Sequence, residues 1–209
     1  AAAQSKRQPL DIGDYQPRSM LHARETKVER ARHPVIDIHT HLSFAAKSEK
    51  GVPMTDSRRY PAPPAELLPV MDRRNLRTMV NVTGGYGAGL RDAIARLDKA
   101  HPGRFLTFTE PMWSRTAEPG YPKAQADELE RARKDGAHGL KILKTLGLYL
   151  REHVTSGPLV KIDDRRFDPM WEACGALKMP VAIHISDPAA FFLATDRYNE
   201  RFEELNNHP

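Results

Sequence analysis

Two histidines stand one residue apart in the segment VIDIHTHL, residues 35–42, where their side chains could bind a metal ion. If the segment is a strand, the period of two places Asp37, His39 and His41 on one face and Thr40 on the other. Neutral imidazole is the commonest metal ligand among protein side chains, and a catalytic zinc site takes three protein ligands and keeps one open position. The segment therefore predicts two metal ligands at the end of a strand, and a third ligand must come from elsewhere in the chain.

His184 supplies that third ligand, because it lies in the segment PVAIHISDP at the same depth in its strand as His41 does in the first. We predict that His39, His41 and His184 hold one divalent metal ion, with zinc expected from the imidazole donors. Asp37 has two interpretations of equal weight. It orients a ligand imidazole as a hydrogen-bonded carboxylate, or it binds backbone at the floor of the sheet.

Two lysines follow the same pattern in the segment GLKILK, residues 139–144. Lys141 shares a face with Gly139, which leaves room beneath the lysine stem, and Lys144 ends the strand on the other face. Lys141 is the predicted catalytic cation, pairing with a substrate carboxylate as a point charge, and the alternative is a lysine that extends to solvent. Lys144, at the strand's last position, is predicted to contact substrate. Three residues at or just past other strand ends could also contact it, with loop shaping as the alternative: Asn81, Glu110 and Asp187.

These residues need strands that end at one edge, and the sequence predicts such strands in an alternating β-α pattern. The apolar runs are residues 35–41, 78–83, 105–110, 139–144 and 181–186. Helical spacing separates several of them: Leu90, Ile94 and Leu97 form one face, residues 123–134 a second helix, and Asp168-Pro169 the N-cap and first residue of a third. The spacing of about 36 residues per unit predicts a (β/α)₈ barrel or a doubly wound parallel sheet.

Two connections are much longer than the rest, residues 42–64 and 145–167, and neither shows a clear element. Loops after barrel strands typically have about 2 to 6 residues, and long ones build active sites. Before the first strand, residues 1–33 are polar and form a predicted N-terminal arm. Residues 34–209 form the predicted barrel domain.

Composition excludes several classes of protein. The 209 residues carry 32 Lys plus Arg against 27 Asp plus Glu, and the net charge of +5 is not concentrated in a basic run. Nucleic-acid binding is therefore not predicted, and the absence of a long apolar stretch predicts a soluble chain without a membrane partner. The single cysteine, Cys174, excludes an intrachain disulfide, and its helical spacing predicts a packed thiol.

The segments VIDIHTHL, GLKILK and PVAIH, in this order within β-α units, resemble the amidohydrolase superfamily. They are most similar to its amidohydrolase-2 group, which also contains aminocarboxymuconate-semialdehyde and aromatic-acid decarboxylases. The resemblance covers residues 34–209 and implies a (β/α)₈ barrel whose metal ligands include His39, His41 and His184. It also implies a histidine on strand 6 and a catalytic aspartate on strand 8. In binuclear relatives the strand 4 lysine is carboxylated and bridges two metals, a second implied role for Lys141.

Only about five β-α units are written in this sequence, so we expect it to be a barrel truncated after strand 5. The implied activity is metal-dependent hydrolysis, in which a metal-bound water attacks an amide, ester or lactone-like bond of a small, carboxylate-bearing molecule. Two alternatives stay open: a non-oxidative decarboxylase on the same metal site, and an inactive, metal-free barrel fragment that acts as a binding module. The small residues Ala1-Ala2-Ala3-Gln4 resemble the surroundings of a signal-peptidase cut and favour export over a cytoplasmic location.

Overall fold

The computed structural model describes residues 9–24, 26–185 and 187–207, which form two compact units. One unit is Val28–His184, and the other combines Ala1–Lys27 with Ile185–Pro209. The predicted boundary between an arm and a barrel domain, after His33, stays a prediction. The segment Ala1 to Gln4, on which export is predicted, lies outside the described residues.

The larger unit consists of parallel β-α units, as the sequence pattern predicts. Its strands are β1 (Val35–Thr40), β2 (Phe44–Ala45), β3 (Ser48–Glu49), β4 (Val52–Pro53), β5 (Arg58–Arg59), β6 (Leu76–Asn81), β7 (Phe105–Thr107), β8 (Leu140–Ile142) and β9 (Val181–Ile183). Its helices are α1 (Pro64–Arg74), α2 (Gly87–Ile94), α3 (Tyr121–Asp135) and α4 (Asp168–Ala176). All five predicted strands are present, each ending before its predicted carboxyl end.

The long strands are ordered β1-β6-β7 and β8-β9, every pair parallel, and a parallel bridge from Thr109 to Leu140 joins β7 to β8. The sheet therefore follows chain order, which brings the carboxyl ends of all five strands to one edge. Within residues 9–24, 26–185 and 187–207 no pairing joins β9 back to β1, so the predicted barrel is not closed. The parallel β-α units are those that the sequence predicts for a barrel, and closure of such a barrel stays a prediction.

Two helices, α1 and α4, show the main differences from the predicted helices. Helix α1 was not predicted, although Pro64 at its first turn and Glu66 are typical of a helix start. The predicted N-cap at Asp168 is wrong, because Asp168 is already helical and Phe167 precedes it as the cap residue. The carboxylate of Asp164 instead accepts a hydrogen bond of 2.9 Å from the Arg166 amide and caps the preceding 3₁₀ turn.

The main core lies between the sheet and helices α2, α3 and α4. Buried side chains of all three helices meet the buried strand residues Leu140 and Ile142. Cys174 belongs to this core, and burial raises the pKa of its thiol to about 11. The thiol is therefore neutral and packed, as predicted. None of the described helices is both long and apolar enough to cross a membrane.

The two long connections are built segments that pack on each other. Residues 42–64 contain two antiparallel ribbons, β2 with β5 and β3 with β4. Residues 145–167 contain a π-helical turn, Thr145–Tyr149, and the 3₁₀ turn Arg165–Phe167. The Thr145 hydroxyl donates to the Gly51 carbonyl at 3.2 Å, and the Tyr149 ring fills the space where a Cβ of Gly51 would lie. The prediction that these connections lack elements is wrong in its detail, because their strands and turns have only two to five residues each, too few for an apolar period to reveal.

The smaller unit has little regular structure. Helix α5, Phe202–Asn207, and a 3₁₀ turn, Ala189–Phe192, pack with the described N-terminal residues. Tyr15 contacts Phe202 with ring centroids 6.4 Å apart, and Arg18 pairs with Asn199 in a parallel bridge.

Candidate functional site

His39 and His41 lie at the carboxyl end of β1, with ring centroids 5.3 Å apart and ring planes inclined by 52°. His184 directly follows β9, where its amide donates a 3.0 Å hydrogen bond to the Ile142 carbonyl. The three residues interact electrostatically, because a charge on His184 lowers the pKa of both other histidines. Residues from β8 and from the end of β9 therefore act on the pKa of the two histidines at the end of β1.

The imidazoles of His39 and His41 both favour the neutral form. Burial is the largest cause of the lowered pKa of His39, followed by the charges of Lys141 and His184, and Asp37 opposes the shift. Burial likewise dominates the lowered pKa of His41, with His39, Lys141 and His184 adding to it. A neutral imidazole keeps the nitrogen lone pair that a metal ion needs.

The donor chemistry of these residues suits a metal ion. The Nδ1 atom of His41 is buried and has no hydrogen-bond partner, as expected of a nitrogen that binds a metal ion. The grouping is incomplete, however, since no set of three His, Cys, Asp or Glu side chains in the described part of the chain is placed to hold a metal. The ligand roles of His39, His41 and His184 stay a prediction.

Lys141 on β8 enters the same environment from the middle of the sheet. Its side chain is only 2% exposed, and its Nζ lies 3.4 Å from Nε2 of His39. Burial lowers the pKa of its ammonium, and the nearby Glu110 carboxylate opposes that shift. This burial does not fit the solvent-facing alternative. The expected free space at Gly139 is absent, because the Phe108 ring lies where its Cβ would be.

Asp37 and Asn81 bind backbone. The Oδ1 atom of Asp37 accepts a 3.0 Å hydrogen bond from the amide of His39, which is the second of its two interpretations. Asn81 is buried at the end of β6, where its Oδ1 accepts from the amides of Leu42 and Thr83 at 3.0 and 3.3 Å. These contacts favour loop shaping by Asn81, and its contact with substrate stays a prediction.

The other two predicted substrate contacts lie in different parts of the chain. Lys144 is half-buried and stands just before the π-helical turn Thr145–Tyr149. Asp187 is half-buried in the smaller unit. Their roles stay predictions.

The structure adds two residues that the sequence pattern did not place at the site, Arg58 and Phe44, and it gives the strand-end residue Glu110 a charged partner. Arg58 and Glu110 form a buried ion pair, with Nη2 and Oε2 2.7 Å apart and side chains 2% and 4% exposed. Phe44 stacks on His41, with ring centroids 5.9 Å apart and planes inclined by 10°. Glu110 had a signal at its strand end, whereas the Arg58-Arg59 pair and Phe44 are typical of ordinary loop residues.

With the strand order and the histidine positions established, the comparison with protein families is decisive. The family model described as amidohydrolase, of the amidohydrolase-2 type, matches residues 36–205. The chain belongs to the amidohydrolase family. The match runs from β1 into α5 and includes His39, His41, Lys141 and His184. No match to this amidohydrolase was found among curated proteins. The family assigns it to the metal-dependent hydrolase or decarboxylase type without naming a substrate.

Proposed function

We propose that this amidohydrolase is a metal-dependent hydrolase of small molecules that carry a carboxylate group. The observation that carries the proposal is the buried ammonium of Lys141, 3.4 Å from His39 at the carboxyl ends of the strands. A cation in that position, beside donors suited to a divalent ion, needs an anion as its partner.

In this proposal His39, His41 and His184 hold one divalent ion, zinc by their donor type. When bound, such an ion lowers the pKa of a coordinated water and polarises the carbonyl group of the substrate. The chain's residues prepare the site: burial and neighbouring positive charge lower the pKa of His39 and His41, which favours the neutral imidazole that a metal ion needs. Asp37 holds the backbone of His39 through its amide.

Lys141 orients the substrate. Water is largely excluded from its ammonium, so attraction to a substrate carboxylate is stronger there than at an exposed lysine. Glu110 supplies nearby negative charge and is itself neutralised by Arg58 at 2.7 Å, which leaves Lys141 available to an incoming anion.

The same lysine favours a second candidate, a non-oxidative decarboxylase on the same metal site. A decarboxylase must hold a carboxylate, and the Lys141 ammonium provides a partner for it. The two reactions differ in mass balance, since only the decarboxylase releases carbon dioxide.

The test uses the full chain, purified and incubated with zinc, with bound metal measured by mass spectrometry. Lactones, esters and amides of aromatic and aliphatic acids are then assayed for hydrolysis and for carbon dioxide release. We expect one bound zinc and hydrolysis of an acidic substrate, with both lost in His41→Gln and His184→Gln. His153→Gln, at an exposed histidine outside the site, is the matched control. Absence of zinc binding by the unaltered chain would contradict the proposal, and carbon dioxide release would favour the decarboxylase.

A further inference from the structure

The stack of Phe44 on His41 belongs to a connected structure that reaches a buried ion pair. Phe44 is in β2, which pairs with β5 in the register Phe44 to Arg59 and Ala45 to Arg58. The ribbon continues through a 2.8 Å hydrogen bond from the Ala46 amide to the Ser57 carbonyl. The aromatic ring beside His41 is thus tied by backbone pairing to Arg58.

Arg58 fixes this ribbon to the ends of the parallel strands. Its Nη2 donates to Oε2 of Glu110 at 2.7 Å and to the Thr83 carbonyl at 2.8 Å. The Gly85 amide also donates to Oε2 of Glu110, at 3.0 Å. The Thr83 carbonyl accepts a second hydrogen bond, of 2.5 Å, from the hydroxyl of Ser43, the residue before Phe44. Both strands of the ribbon are therefore held by the same turn after β6.

Asp56 and Tyr60, two positions before and after Arg58, also attach this segment to helix α2. The carboxylate of Asp56 accepts a 3.1 Å hydrogen bond from the Ala88 amide in the first turn of α2. The hydroxyl of Tyr60 donates to Asp92 on the same helix at 2.8 Å. Because Asp56, Arg58 and Tyr60 are each bound by hydrogen bonds, β5 has a fixed position on the larger unit.

We propose that the Arg58–Glu110 ion pair positions the His41 imidazole through the β2–β5 ribbon and the Phe44 ring. The bound segments restrict where Phe44 can lie, and an offset-stacked ring restricts the orientation of the imidazole. Supporting groups of this kind fix ligand geometry, and their loss typically weakens metal binding about 10 to 100-fold. Arg58 and Glu110 are positioning residues here, and the metal readout, though not the imidazole orientation itself, rests on the proposed function.

The first experiment follows the histidine ring signals of the metal-free, full-length chain by NMR, with the His41 signal assigned from His41→Gln. Phe44→Leu removes the ring current next to His41 and should shift that signal. R58M together with E110Q removes both charges without leaving one unpaired, and should shift it as well. R58K retains the cation and should leave the signal nearer its original position. The control variants are R104M, which breaks an ion pair with Asp72, and F192L, which alters an exposed phenylalanine.

The second experiment measures zinc affinity by competition with a chromophoric chelator. Phe44→Leu and the R58M/E110Q pair should each weaken binding about 10-fold or more, with R104M and F192L unchanged. Because both changes act through one ribbon, their effects should not add. The variant that combines them should bind zinc about as tightly as whichever of the two separate variants binds it less tightly. Fully additive losses, or an unmoved His41 signal in the ion-pair variants, would overturn the inference. If the unaltered chain binds no zinc, the proposed function fails, and the NMR signals still decide the positioning role.

Discussion

Lys141 places an ammonium group beside the histidines at the strand ends, with its Nζ 3.4 Å from Nε2 of His39. Burial is the largest cause of the lowered pKa of His39 and His41. Repulsion between a protonated imidazole and the Lys141 ammonium lowers it further. The residue types alone identify this chemistry, and their mutual distances determine which of them carry charge at neutral pH.

Replacement of Lys141 by Met keeps most of the stem and removes the charge. We expect a higher KM for an acidic substrate, by at least 10-fold, with zinc content unchanged, because the ammonium pairs with substrate. Steady-state kinetics and metal analysis of the same preparation test this expectation. Loss of a metal equivalent would instead indicate a carboxylated lysine that bridges two ions, and unchanged kinetics would contradict a substrate role.

The lowered pKa of His41 predicts how stability depends on pH. The pKa of a histidine in the unfolded chain is about 6.5. As pH falls through that value, the unfolded chain takes up a proton at His41, and the folded chain does so only at a lower pH. The contribution of neutral His41 is therefore complete above about pH 6.5 and is lost as pH falls toward the lowered folded-state pKa. Urea unfolding at pH 7.5 and 5.5 should show a smaller pH dependence in His41→Gln than in the unaltered chain. An equal reduction in His153→Gln would contradict assignment of the effect to His41.

At the scale of elements, helix α2 and the segment 56–60 fit closely against each other. A Cβ at Gly89 would lie 1.7 Å from the carbonyl oxygen of Asp56, so only glycine permits this approach. The contact explains why a glycine stands inside a helix and how a long connection keeps a defined position on the sheet.

Two helical glycines provide a matched pair of variants. Gly89→Ala forces backbone apart and should lower the free energy of unfolding by about 1 to 3 kcal/mol. Gly175 in α4 has no neighbouring atom within 4 Å of its would-be Cβ. Gly175→Ala should therefore raise the free energy of unfolding, by up to about 1 kcal/mol. Urea denaturation measures both, and a stabilised Gly89→Ala would show that the α2 contact is not tight in solution.

At the scale of the whole unit, the open sheet leaves apolar side chains in water. Ile36 and Ile38 of β1 and Ile183 of β9 are exposed, Ile38 by 75% of its surface. Both strands lie at the ends of the sheet order among the described residues. An exposed, apolar edge strand is a template for pairing with another chain.

Ile38→Thr keeps a β-branched side chain and removes part of the apolar surface. We expect this variant to associate less with itself than the unaltered chain, as measured by sedimentation velocity over a range of concentrations. Val70→Thr, at an exposed position on α1, is the control. Equal association of all three proteins would exclude β1 as the surface responsible.

The sequence by itself determined the parallel β-α units and the residues at their carboxyl ends. Strong local signals made this possible, because β-branched runs, helical spacing and a proline in the first turn of a helix, as at Pro169, specify elements within a few residues of chain. The order of His39, His41, Lys141 and His184 along these units also predicted the family that the match to residues 36–205 shows.

Tertiary structure decided the surroundings of these residues. Arg58 and Glu110 are 52 positions apart in the chain, and Phe44, whose ring stacks on His41, pairs with Arg59, 15 positions later. Neither contact has a local sequence signal, since a buried ion pair and a short ribbon depend on which segments the fold brings together. Gly139 illustrates the same limit: its type suggested free space, and the packing of Phe108 filled it. Local preferences specify elements, whereas burial and long-range contact determine the protonation and orientation of the groups that those elements carry.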